Sequence, residues 1–196
     1  MRTRELTLAI TLLSTTAIAQ DKGAPAAPAK AAAPAAAPTQ PPPPPTLPPE
    51  GKKWVESMQG KWKVNDMAMS MGDQKITGKM TLNCEKASGG WGTICKAKME
   101  AKGMPPQEMS MLMGWDIAEA TAHMFEVANS GEVHDHSGKW ADPQTITLVR
   151  KGKNVQGKDE TDSITFKWTS PKEVSVTGSG TSGGATLWSF TSTAKK

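Results

Sequence analysis

The sequence predicts an all-β protein, an up-and-down antiparallel barrel of about 8–10 strands with a short N-terminal helix. Three observations carry this. From Gly60 onward apolar and polar residues alternate with a period of two, the period of a half-buried strand. The alternating runs are short and punctuated by turn-forming pairs such as Gly72-Asp73, Asp142-Pro143 and Ser170-Pro171. Two cysteines, Cys84 and Cys95, flank one of these turns at equal distance from its middle, as opposed positions of a hairpin would.

Residues 1–19 read as a secretory signal. Arg2 and Arg4 give a positive start, Leu6 to Leu13 a short apolar stretch, and Ala17-Ile18-Ala19 the small-x-small pattern cut before Gln20. The apolar stretch is well below the ~20 residues of a membrane-spanning helix. No Cys follows the cleavage point, so a lipid anchor is not expected. The mature chain is expected in the periplasm or outside the cell, without a membrane span.

Residues 20–49 are mostly Ala and Pro, ending in Pro48-Pro49. Such a segment buries no core and favours extended polyproline conformations. It is expected to be a disordered linker, at most roughly 90 Å long at ~3.1 Å per residue. Residues 50–196 form the domain. Gly51 to Gln59 carries Trp54, Val55 and Met58 on one side and reads as a helix. Strands are expected near 61–71, 75–85, 92–102, 107–115, 120–128, 132–140, 144–151, 157–169, 172–178 and 185–193. Hairpin turns join them in simple order, and closing such a meander into a barrel removes exposed edges. The Gly-rich run 178–184 is expected to be the last of these turns.

In that hairpin Cys84 and Cys95 face each other, and a cross-strand disulfide suits an oxidising compartment. A metal pair is the alternative, but the spacing of eleven residues and the opposed strands favour the disulfide. The net charge of +4 is mild and comes from scattered Lys; the only Arg are Arg2, Arg4 and Arg150. A nucleic-acid surface would need clustered basic residues interleaved with aromatics, so no nucleic-acid partner is expected.

The short helix followed by Gly60-Lys61-Trp62 resembles the Gly-x-Trp opening of lipocalin-like barrels. With Gly114-Trp115-Asp116, then Gly138, Trp140, Asp142 and Thr145 to Leu148, the order is similar to the bacterial domain-of-unknown-function family 1579. The resemblance covers about residues 50–193 and implies a lipocalin-like barrel with a central cavity for a small ligand. Trp115 stands where that family commonly has Tyr, and Pro143 where it has Gly. In lipocalins an Arg near the chain end stacks over the Trp of the opening. Here Arg150 is not on the last strand, and it reads as an exposed strand-end charge.

Several text matches to catalytic motifs fail. Gly180-Thr181-Ser182-Gly183-Gly184 has no helix after it and no acid or His beyond it, so it is no nucleophile elbow. Gly178 to Gly183 matches a dinucleotide fingerprint but precedes a strand. Asp159, Glu160 and Asp162 read as a solvated acidic group.

The three His lie in one predicted hairpin. A type I turn with a Gly bulge over Ala128-Asn129-Ser130-Gly131 would pair Val127 with Glu132, Phe125 with His134 and His123 with His136. Alternation then puts His123, Phe125, Val127, His134, His136 and Trp140 on the cavity face, and Met124 and Glu126 on the outer face. Met67, Met69, Met71 and Met109, Met111, Met113 alternate along two further strands. Alternating Met makes an adaptable apolar lining. The leading expectation is therefore a non-enzymatic binding domain without a cofactor. It would hold a small apolar molecule against Met67, Met69, Met109, Met111, Met113, Phe125 and Trp140, with His123, His134 and His136 as placed polar groups. An alternative is a zinc or copper site on those three His with Met ligands. A small hydrolase or isomerase using a cavity His as base is a third reading, for which no nucleophile or acid partner stands out.

Overall fold

The computed structural model describes residues 43–196. The expected export signal and residues 20–42 of the linker lie outside the described residues. Helix α1 (Pro49–Ser57) is followed by ten strands: β1 (Gly60–Met71), β2 (Gln74–Ala87), β3 (Gly92–Ala101), β4 (Gln107–Asp116), β5 (Thr121–Ala128), β6 (Val133–Asp142), β7 (Thr145–Lys153), β8 (Asp159–Ser170), β9 (Glu173–Ser182) and β10 (Ala185–Lys195). Each pairs antiparallel with the next, and β10 returns to β1, so the sheet closes. This is the expected up-and-down barrel, and nine of the ten strands end within two residues of their predicted bounds.

The exception is β9, which runs to Ser182, through Gly178 and Gly180. Only Gly183 and Gly184 of that run have positive φ and form the turn. The two strand glycines answer a packing need. A Cβ on Gly178 would fall on the Phe190 ring, and one on Gly180 on the Trp188 ring and the Glu160 carboxylate. Without side chains there, the two aromatic rings lie against the β9 backbone, stacked with 6.1 Å between centroids.

Alternation puts one residue in two into the barrel. The bulge of β1 between Val64 and Met67 keeps Trp62, Val64, Met67 and Met69 on the inner side. One end of the barrel is closed by α1. Pro49 sits in the first turn, where a missing N–H costs nothing. Trp54 and Val55 are fully buried, and Met58 nearly so. Trp54 meets Phe166 and Trp168 edge-on at 5.7 and 6.4 Å, and its Nε1 donates to the His123 carbonyl. Trp62 Nε1 donates to the Met58 carbonyl at 2.7 Å, Trp140 Nε1 to that of Glu50, and Thr93 Oγ1 to that of Val55. The last carbonyls of a helix lack intrahelical partners, and here the barrel rim supplies two of them. Leu47, assigned to the linker from sequence, packs against this core.

Trp62 is covered by a cation, but it is Lys196 Nζ, 4.5 Å from the ring centroid, not Arg150. Cys84 and Cys95 stand opposite each other in the β2–β3 ladder and are bonded, both buried. A Cys84→Ala/Cys95→Ala variant is expected to lose about 3 kcal/mol of unfolding free energy, the chain-entropy value for so short a loop. Urea denaturation followed by circular dichroism measures it.

Candidate functional site

The inner side chains fall into two zones. Beneath α1 they are apolar: Met113, Ala122, Ile146, Phe166, Trp168 and Val174. Toward the other end, between the β5–β6, β7–β8 and β9–β10 turns, the lumen is polar. Glu126, His134, His136, Arg150, Glu160 and Asp162 all point inward there.

Strand parity explains how they arrive. On β8, Asp162 and Glu160 continue the inner row Trp168, Phe166, Ile164. On β7, Arg150 continues Ile146 and Leu148. Arg150 and Asp162 are directly opposed across the β7–β8 ladder. Arg150 Nη1 donates to Asp162 Oδ2 at 2.6 Å, and Nη2 donates to the Lys153 carbonyl at 2.7 Å. Asp162 has no solvent exposure. Its other ladder partner is Gly180, and that of Glu160 is Gly152, so small residues leave room for the charged groups. Glu160 accepts a hydrogen bond from Trp188 Nε1 at 2.7 Å. The acidic run is therefore split, Asp159 outside and Glu160 and Asp162 within. Arg150 is no surface charge but half of a buried ion pair. Ile164, Phe166 and Trp168 share parity with Asp162, and that signal was present in the sequence.

The β5–β6 hairpin corrects the expected register. Ala128 N–H donates to the Glu132 carbonyl, closing a three-residue loop Asn129-Ser130-Gly131 with Gly131 at φ 89°. The ladder consequently pairs Val127 with Val133, Glu126 with His134 and Met124 with His136. One residue of shift exchanges the faces of β5. His123 and Phe125 point outward, His123 lying 3.3 Å from Asp135, and Met124 and Glu126 point inward. The three His are not brought together. Their inner group is His134 and His136, rings edge to face at 5.7 Å, with Asp162 in the place expected for His123. Asp162 Oδ2 is 3.9 Å from His134 Nδ1 and 4.0 Å from His136 Nε2.

Met67, Met69, Met109, Met111 and Met113 all face the lumen, as expected, joined by Met80, Met99 and Met124. Met113 lies deep under α1, whereas Met69, Met80, Met99, Met109 and Phe190 keep partial exposure. Trp140 shares the face of His134 but lies six residues along β6, roughly 20 Å away at ~3.3 Å per residue, packed on Trp168 below the helix. A trough of about 620 Å³ that includes Lys61, Lys63, Lys96 and Lys98 is lined only by β1 to β5 and the turn after β5. It lies along one wall and holds none of the inner polar group.

Electrostatics set this group apart. Burial, then His134 and Arg150, lower the His136 pKa to about 4, so its ring is neutral at neutral pH. Burial, then Glu132 and Asp162, raise Glu126 to about 6. Burial also raises Glu160, against the opposing hydrogen bond from Trp188. His136 Nδ1 and Nε2 and Asp162 Oδ1 are buried with no hydrogen-bond partner in the protein. Buried polar atoms are seldom left so, and each desolvated atom costs on the order of 1–3 kcal/mol.

No protein-family model and no curated protein matches the chain. Among solved structures, Rv2717c from M. tuberculosis is similar with a TM-score of 0.59 and 11% identity, over 77% of this chain and 99% of its own. At that identity the likeness is one of fold. A structure of EF1p2_mFAP2b bound to DFHBI aligns over 74% of this chain and 98% of its own, with 10% identity and a TM-score of 0.41.

Arg150→Met would leave Asp162 buried without its counter-charge. It is expected to destabilise the fold by about 3–5 kcal/mol, while the double variant Arg150→Met/Asp162→Leu regains most of the loss. Urea unfolding of the two variants measures this.

Glu126 gives a pH dependence. Its folded pKa lies above the unfolded value, so ionisation disfavours the fold and stability falls as pH rises from about 4.5 to about 6. Glu126→Gln is expected to exceed the parent protein by on the order of 1–2 kcal/mol above pH 7. The gap should close below pH ~4.5, where both side chains are neutral. Chelator-treated samples unfolded across this range measure it, and His136, present in both proteins, cancels in the difference.

Proposed function

We propose that the barrel is a non-enzymatic binding module whose site is the end away from α1. It takes one small molecule with an apolar body and one polar group. The observation that carries this reading is the set of unpartnered buried atoms on His136 and Asp162, set among part-exposed apolar side chains. A polar group of the ligand would complete those hydrogen bonds. Met69, Met109, Phe190 and Trp188 would hold its body. Such sites are mostly apolar with a few fixed polar groups. Methionine suits a wall that must fit a ligand of irregular shape. The closed end plays no part, since Trp54, Phe166 and Trp168 fill it.

Two further parts of the reading rest on sequence. The bonded Cys84–Cys95 pair supports export to the periplasm or beyond, as does residues 1–19. No described helix is long and apolar enough to cross a membrane. The closed barrel, with a short helix leading to Trp62, supports the resemblance to the lipocalin-like family 1579.

Native mass spectrometry of the protein recovered from its exported fraction tests the reading, with 8-anilinonaphthalene-1-sulfonate titration as a second measurement. An organic adduct at one per chain is expected. Saturable dye binding is also expected, weakened at least tenfold in Met109→Lys with the far-ultraviolet spectrum unchanged. A bare mass together with no saturable dye binding would overturn it.

A further inference from the structure

The inner polar group has an imbalance that an organic ligand does not address. Three carboxylates face inward, those of Glu126, Glu160 and Asp162, and Arg150 is the one inward cation among the described residues. Two imidazoles lie in the same group, and a nitrogen of each stands about 4 Å from the same carboxylate oxygen.

We propose that His134, His136 and Asp162 are the protein ligands of a divalent first-row transition-metal ion, zinc in the first instance. One donor atom of each residue lies within 4.8 Å of the other two. Ligands ~2.0–2.2 Å from a zinc ion stand roughly 3–3.6 Å apart, so rotamer adjustments of under about 1 Å would close the set. His136 and Asp162 are at least nine-tenths buried, and the free atoms on them are the kind a metal ligand presents. Arg150 holds the carboxylate by Oδ2 and leaves Oδ1 without a protein partner, the kind of outer support that ligating carboxylates commonly have. Two nitrogens and one oxygen favour zinc or a similar borderline ion over copper(I), which prefers thioether and thiolate sulfur. Three protein ligands leave a fourth position for water or a ligand atom.

A second group, Asp116, Glu119 and His123, also has the spacing for a cation. None of its three side chains has a buried polar atom without a partner, and it serves here as the control. The inference shares the open end with the binding reading above but needs no organic occupant, so it is tested with metal alone.

The experiment is calorimetric titration of the chelator-stripped full chain with zinc chloride, with cobalt(II) absorption as a readout of coordination geometry. One equivalent of zinc and a cobalt spectrum of low-symmetry, four- or five-coordinate type are expected. His134→Ala, which removes a part-exposed ligand and leaves the Arg150–Asp162 pair intact, should weaken zinc at least tenfold. His123→Ala should leave it unchanged. Circular dichroism checks that both variants fold. The absence of zinc uptake by the parent chain would overturn the proposal, as would equal uptake by His134→Ala, or loss in His123→Ala alone. Dye binding measured in chelator stands or falls separately, so a failed metal site and a failed binding site are told apart.

Discussion

The fold depends on how a ten-stranded barrel fills its own interior. Helix α1 solves this at one end by inserting Trp54 and Val55 as a plug. The plug is fixed by polar contacts as well as packing, because Thr93, Trp62 and Trp140 reach the helix carbonyls from the rim. A plug at one end makes the two ends inequivalent. Among the described residues, the buried side-chain polar atoms without a partner then lie in the half that α1 does not reach, apart from the indole N–H groups of Trp115 and Trp168.

That confinement gives the inner group its properties. Arg150 and Asp162 face each other across one rung of the ladder, with glycines on neighbouring strands making room. Replacing such a pair by apolar side chains of similar size is often neutral or stabilising, so a buried ion pair is weak evidence that it exists for stability. Here it accompanies two imidazoles and two further carboxylates, an assembly that is costly to bury. The aromatic pair Trp188 and Phe190 is built around the same need, since Trp188 donates to Glu160 while lying on the bare backbone of Gly180.

Most of the architecture was legible from the chain. Period-two alternation and turn pairs located the ten strands, and the symmetric placing of Cys84 and Cys95 identified a hairpin that the ladder reproduces. The inner Met rows were also readable from alternation. The site was legible only in part, for two physical reasons. A hairpin loop of three residues rather than four turned β5 over, exchanging His123 and Phe125 for Met124 and Glu126. Nothing local to Ala128–Gly131 distinguishes those loops strongly, and only the demand of the core decides. Charged residues were also read as solvated because most are. The parity linking Asp162 to Ile164, Phe166 and Trp168 pointed the other way. Gly178 and Gly180 were read as turn formers because the ring that needs their space lies on another strand.

The plugged end also gathers the chain's connections. Leu47 and the start of α1 pack there, and at the far end of the sequence Lys196 N–H donates to the Lys172 carbonyl while its ammonium covers Trp62. Both ends of the described chain thus leave from one pole, and the turns at the opposite pole carry neither of them. The barrel is oriented like a cup held by its base. Substitutions in the turns at the other pole therefore touch neither end of the described chain.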